Sequence, residues 1–187
     1  MEKVKILTVG AGAVGAYFTG RLAQAGAEVS VVVRSDYDAV KANGFEIISE
    51  LGNFHFQPHG VYRSADEYPD TADYVFLTSK FFPETDEAAM LRGALKNSRT
   101  VLVLIQNGIG IEDQLAEAFP ETEILSSIAY IGATRLKPGV VRQKGASELK
   151  FGRFGGGASE AGRRLEKLFA ERRQGFIRGK YRMVPLE

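Results

Sequence analysis

Short wholly apolar runs alternate with amphipathic ones along this chain. "VKILTV" (Val4 to Val9), "EVSVVV" (Glu28 to Val33), "ADYVFLT" (Ala72 to Thr78) and "VLVLI" (Val101 to Ile105) are five to seven residues long and rich in β-branched side chains. Runs of that kind are strands buried on both faces, as in a parallel sheet covered by helices. Between the first two, Val14, Phe18 and Leu22 recur at helical spacing, with Arg21 and Gln24 off that face, so a helix is predicted over about 13–25 with Gly26 as its stop. A short helix capped by Ser35 or Asp36 closes at Asn43-Gly44. The stretch "GFEIISELGNFHFQPHGVY" is β-rich with a turn near Gly52-Asn53 and reads as a hairpin-like excursion.

The second half continues the alternation. "PETDEAAMLRGAL" reads as a helix opened by Pro83, with Glu84, Asp86 and Glu87 in the first turn, where the helix dipole favours negative charge. "IEDQLAEAF" is a helix stopped by Pro120, "EILSSIAYI" a strand, and "KPGVVRQKG" a Pro-Gly turn between strands with "ELKFGRF" as its mate. "SEAGRRLEKLFA" is a last amphipathic helix. Strand, helix and strand in this order predict an α/β fold, a Rossmann-type, doubly wound, mostly parallel sheet with helices on both faces. The domain spans 1–170, and 171–187, arginine-rich and without a helical apolar period, is a divergent, poorly ordered tail.

Composition narrows the chemistry. The 187 residues carry a net charge of +1, which points to neither nucleic acid nor an anionic membrane. There is no cysteine, which excludes disulfides, thiolate catalysis and zinc-thiolate sites and fits a cytoplasmic protein. His55 and His59 lack further ligands at metal spacing, so no metal site is expected. Ser126 and Ser127 sit in a strand with no nucleophile motif around them.

"VGAGAVG" places Gly10, Gly12 and Gly15 in the G-x-G-x-x-G pattern, directly after a strand and directly before a helix. In that context Gly10 makes the tight turn, Gly12 admits a pyrophosphate, and Gly15 lets the helix pack on the strand, while the helix N-terminus offers N–H groups to phosphate. Gly10, Ala11, Gly12, Ala13, Val14 and Gly15 are therefore candidate cofactor-binding residues. An acidic residue about twenty positions on would hold the ribose of NAD. Arg34 stands there instead, suited to clasp a 2′-phosphate. Ser35 adds a hydroxyl, and Asp36, two residues late, is explained as a helix cap. NADP(H) is the expected cofactor. Strand ends at the carboxyl side deliver Lys80 ("FLTSK") and Asn107 ("IQNGIG") towards the nicotinamide half of the crevice.

"GAGAVGAYFTGRLAQAGAEVSVVVR", "FLTSK" and "IQNGIG", in this order and spacing, resemble the N-terminal half of the ketopantoate reductase (2-dehydropantoate 2-reductase) family, and "GATRLKPGVVRQKG" is similar to that family's following region. The resemblance covers about residues 3 to 170. It implies NADPH-dependent reduction of 2-dehydropantoate to pantoate, towards coenzyme A. Carried over by position, Gly10 to Gly15 hold the pyrophosphate, Arg34 meets the 2′-phosphate, Lys80 and Asn107 adjoin cofactor and substrate, and Ala133 or Thr134 lines the cofactor site. Members of the family carry a second, helical domain with the proton-donating lysine, which is not visible in this sequence. Apolar surface left exposed there favours a homodimer. Two alternatives remain open: a related dehydrogenase of another 2-oxo or β-hydroxy acid, and a nucleotide-binding module without catalysis.

Overall fold

The computed structural model describes residues 3–80, 84–106, 110–170 and 180–184. Its strands are β1 (Lys5–Val9), β2 (Glu28–Val32), β3 (Phe45–Ser49), β4 (Phe54–Phe56), β5 (Val61–Tyr62), β6 (Tyr74–Leu77), β7 (Val101–Leu104), β8 (Ile124–Lys137), β9 (Val140–Arg153) and β10 (Lys180–Met183). Its α-helices are α1 (Ala13–Gln24), α2 (Tyr37–Asn43), α3 (Glu87–Leu91), α4 (Ile111–Ala118) and α5 (Glu160–Ala170).

The strands form one sheet in the order β4-β3-β9-β8-β7-β6-β1-β2-β5, with β10 also paired to β9. All neighbours run parallel except β3–β4 and β8–β9. Side chains alternate across the parallel centre and build a core on each face. Ile6, Val31, Tyr74, Phe76 and Val103 pack with α1 and with Leu165, Leu168 and Phe169 of α5. Leu7, Val9, Val32, Val75, Leu77, Leu102 and Leu104 pack with Leu91 of α3 and with Ile111 and Leu115 of α4. The sheet is thus covered on both sides, as the continuous apolar runs require.

Three expectations are corrected, and one residue is placed more fully. Arg21, set off the apolar face of α1, is nevertheless buried. It is 3% exposed, with its guanidinium 4.2 Å from the Phe54 ring centroid and 5.2 Å from that of Tyr17, because the sheet curls until β3, β4, β8 and β9 also contact α1. The helix expected from Pro83 onward begins at Glu87, since the Asp86 side chain accepts from Ala89 N–H at 2.9 Å and caps it there; Pro83 itself lies outside the described residues. The Pro138-Gly139 turn does join two strands, but "VVRQKG" and "ELKFGR" are not mates of each other; they form one continuous strand, β9, paired along its length with β8. Register shifts at Ile131/Gly132 and at Arg135/Lys137 let this hairpin bend without breaking. Finally, within the segment read as a tail, Lys180–Met183 is a strand lying parallel to β9, with Tyr181 stacked on Phe169 at 4.6 Å.

Candidate functional site

The carboxyl ends of β1, β2 and β6 converge on the glycine loop. Gly10 has φ +81°, and its N–H and that of Ala11 both reach Val32 O, which ties the loop to the end of β2. Thr78 donates its hydroxyl to Gly10 O at 2.9 Å and so braces the turn from β6. A side chain at Gly15 would run into Thr78 Oγ1, so this glycine is required by the close docking of α1. Gly12 differs. A Cβ there would meet only Gly10 O at 3.8 Å, so nothing among the described residues demands its bareness. The space in front of it is the approach a diphosphate needs.

The first turn of α1 reinforces that reading. It carries no acidic residue, and its N-cap, Gly12, supplies no capping side chain. The N–H groups at this end are therefore left for an anion. A cavity of about 330 Å³ opens here, lined by Gly10, Ala11, Gly12, Val33, Arg34, Ser35, Asp36, Ser79, Lys80 and Arg135. A smaller one of about 170 Å³ adjoins it past Arg34, between Arg63-Ser64-Ala65 and Ala89-Met90. The residues present fit a dinucleotide: a bare loop, free N–H groups, three cationic side chains at the rim and an apolar-walled annex.

Arg34 is exposed at the end of β2, and among the described residues its guanidinium has no ion-pair partner. Asp36 behaves otherwise. It occupies the N-cap position of α2 but makes no capping hydrogen bond. Arg135 instead grips its carboxylate, with Nε at 3.0 and 2.9 Å from the two oxygens and Nη2 at 2.6 Å, while Gly139 N–H and the Ser35 hydroxyl donate at 3.0 and 2.8 Å. The hydrogen bond from Arg135 outweighs burial and holds the Asp36 carboxyl below its usual range. The expected role of Asp36 as a helix cap is corrected accordingly.

Lys80 is exposed and lines the larger cavity beside Gly10. Asn107 and Gly108 lie outside the described residues. Their neighbour Gln106 does not face the cavity as a ligand. Its Nε2 meets Ser79 O at 2.8 Å and Glu87 Oε1 at 2.7 Å, joining the ends of β6 and β7 to α3. Ala13, Val14 and Gly15 stand in α1 behind the loop, and Ala133 and Thr134 stand on β8; none of the five lines either cavity wall. Arg135, one residue past Thr134, does. Sequence reasoning missed Arg135 and Ser79. Ser79 lay within the "FLTSK" motif, whereas Arg135 is 99 positions from Asp36 and carries no local signal.

Among the described residues no helix is long and apolar enough to cross a membrane, and no three potential metal ligands cluster. Exposed large apolar side chains occur on β8, at Ile128, Tyr130 and Leu136.

Comparison with known proteins agrees with this geometry. Residues 6–156 match the family model described as "Ketopantoate reductase PanE/ApbA". A 2-dehydropantoate 2-reductase of Nostoc sp. is 28% identical over 162 residues, covering 87% of this chain and 50% of the relative. An uncharacterized oxidoreductase, YkpB, of Bacillus subtilis is 31% identical over 169 residues, covering 89% and 54%. The crystal structure of 2-dehydropantoate 2-reductase from Methylococcus capsulatus superposes with a TM-score of 0.86 at 40% identity, over 96% of this chain and 57% of that one. D-mandelate dehydrogenase, solved with NADH and anilino(oxo)acetate, shares the fold at 23% identity and a TM-score of 0.80, over 97% of this chain and 57% of that one. The chain spans about half the length of the curated relatives it matches.

Proposed function

The chain belongs to the ketopantoate reductase family, a family of nicotinamide-dinucleotide-dependent oxidoreductases, and from that membership we propose that it is the NADPH-binding part of a cytoplasmic 2-dehydropantoate 2-reductase. The single observation carrying the cofactor half of this reading is the bare face of Gly12 at an uncapped helix end, with an unpaired Arg34 at the rim. When bound, the cofactor supplies a hydride; the ketone oxygen of the 2-oxo acid then needs a proton.

The roles of the chain's own residues follow from charge and position. The N–H groups at the start of α1 hold the diphosphate, with Gly10, Ala11 and Gly12 giving way to it. Arg34 takes the 2′-phosphate in a bidentate grip that an ammonium group cannot offer. Lys80 attracts an anionic group, either a cofactor phosphate or the carboxylate of the 2-oxo acid, to the end of β6. Asn107 orients the nicotinamide ribose and the substrate. Ala13, Val14 and Gly15 serve by seating the helix, and Ala133 and Thr134 by carrying β8 past the groove. The apolar side chains exposed on β8 suit a homodimer.

The test is a fluorescence titration with NADPH and NADH, followed by NADPH oxidation in the presence of 2-dehydropantoate. NADPH should bind at least about tenfold more tightly, a difference of about 1.4 kcal/mol. Binding with turnover supports the full reading. Binding without turnover assigns the chain to cofactor binding alone, and turnover only with other 2-oxo acids moves the substrate. Failure to bind either dinucleotide overturns the proposal.

A further inference from the structure

Two oppositely charged side chains in the groove wall, Asp36 and Arg135, are paired with each other. Asp36 is the one carboxylate among the residues lining the larger cavity. It stands at the start of α2, two positions beyond Arg34, within the same cavity wall, close to the place where a carboxylate accepts hydrogen bonds from the two hydroxyls of an unphosphorylated ribose. Left free, it would also repel a 2′-phosphate. It is not free: both oxygens are engaged by Arg135, reaching over from the β8–β9 hairpin, with Gly139 N–H and the Ser35 hydroxyl completing its shell. The Asp36 side chain is 10% exposed, while that of Arg135 remains 43% exposed and itself lines the cavity. Nε and Nη2 are spent on Asp36; the Nη1 edge has no protein partner among the described residues.

We infer that Arg135 is a specificity-determining residue, which withdraws Asp36 from the ribose and turns a mixed-charge wall into one that accepts phosphate. This rests on the dinucleotide reading above. The pair does two things at once. Neutralising the carboxylate removes its repulsion, and the outward Nη1 donors add a second directional contact beside Arg34. The net charge of the pair is zero, so Arg34 remains the principal cation and Arg135 sets the background against which it acts. Preference for the phosphorylated dinucleotide is therefore distributed between β2 and a hairpin about a hundred residues later, rather than held at the strand end alone.

The experiment measures dissociation constants for NADPH and NADH by nicotinamide fluorescence in the wild-type chain, Arg135→Met, Arg135→Lys and the double variant Arg135→Met with Asp36→Asn. Arg135→Met exposes the carboxylate, so the NADPH-over-NADH preference should fall at least about tenfold. Arg135→Lys, which keeps the charge without the planar fork, should fall in between. Adding Asp36→Asn to Arg135→Met removes the carboxylate again and should recover most of the lost preference, which a merely structural role for Arg135 would not produce. The melting temperature of each variant establishes folding, and the Lys variant carries the test if the Met variant does not fold. A wild-type preference for NADPH unchanged by Arg135→Met, or not restored in the double variant, overturns the inference alone. A wild-type chain that binds neither dinucleotide overturns the reading beneath it as well, and Arg34→Ala separates the two, since it bears on Arg34 only.

Discussion

Gln106 Nε2 lies 2.7 Å from Glu87 Oε1, so the end of β7 is fastened to the first turn of α3. The same amide also meets Ser79 O and Oγ, at 2.8 and 3.1 Å, beside Lys80. A single side chain thus ties the end of β7 to the residue before Lys80 and to α3. Gln106→Ala leaves the buried Glu87 carboxyl without this donor and should cost about 1–3 kcal/mol in urea unfolding. A variant as stable as the wild type would show that the strand ends are held by other means.

Glu87 also makes stability depend on pH. Burial pushes its carboxyl above the usual range more strongly than the Gln106 hydrogen bond pulls it down. With the folded pKa above the unfolded one, the native state keeps the proton longer. Ionisation of Glu87 therefore erodes stability as pH rises from the unfolded value through the folded one, and the loss persists above it. Glu87→Gln removes that loss while keeping an acceptor for Gln106. Its stability relative to wild type should improve as pH rises above the ordinary carboxylate range. A difference that is flat with pH counts against the assignment.

Asp36 runs the other way. Arg135 holds its carboxyl low, so the pair stabilises the fold above the unfolded pKa, and this contribution fades as pH falls through the folded pKa. Asp36→Asn should cost about 1 kcal/mol at neutral pH, kept small by the solvent exposure of Arg135, with the deficit shrinking in acid. Thermal melts across that range check it; a deficit that grows in acid would exclude the pair as its origin.

Gly12 and Gly15 should separate binding from folding. An alanine at Gly15 collides with Thr78 Oγ1 and crowds Thr8 Cγ2 at 3.2 Å, which should lower stability by about 1–3 kcal/mol. An alanine at Gly12 meets almost nothing, so it should leave the melting curve nearly unchanged and weaken dinucleotide binding at least about tenfold. Equal effects of the two on melting temperature would remove the ligand-based explanation of Gly12.

Arg34→Ala should weaken NADPH at least about tenfold with little change for NADH, read from paired titrations. The side chain is exposed and unpaired among the described residues, so stability should not move. Equal losses for both dinucleotides would take the 2′-phosphate away from Arg34.

Tyr181 tests the placement of β10. Its ring stacks on Phe169 and meets Phe18 edge-on at 6.0 Å, with its hydroxyl 3.2 Å from Ser147 Oγ. Tyr181→Ala should cost about 2–4 kcal/mol in urea unfolding. A neutral substitution would mean that the strand does not hold its place on β9.

The sequence alone determined the α/β class with its mostly parallel sheet, the glycine loop and the strand that ends before Lys80, because each depends on residues close together in the chain. Apolar runs of strand length, helical spacing from Val14 to Leu22, and glycines at fixed offsets are local signals of local structure. What needed the tertiary structure was every contact across long separations. Arg21 lies off the apolar face of its helix in the sequence pattern, yet the curling of β3, β4, β8 and β9 around α1 enclosed it. Asp36 looked like a helix cap because the side chain that claims it is 99 positions away. Gln106 looked like half of a polar turn, yet its partners come from β6 and α3. A carboxylate or an amide takes the best donor or acceptor within reach in space, and the linear sequence does not record which groups the fold will bring there.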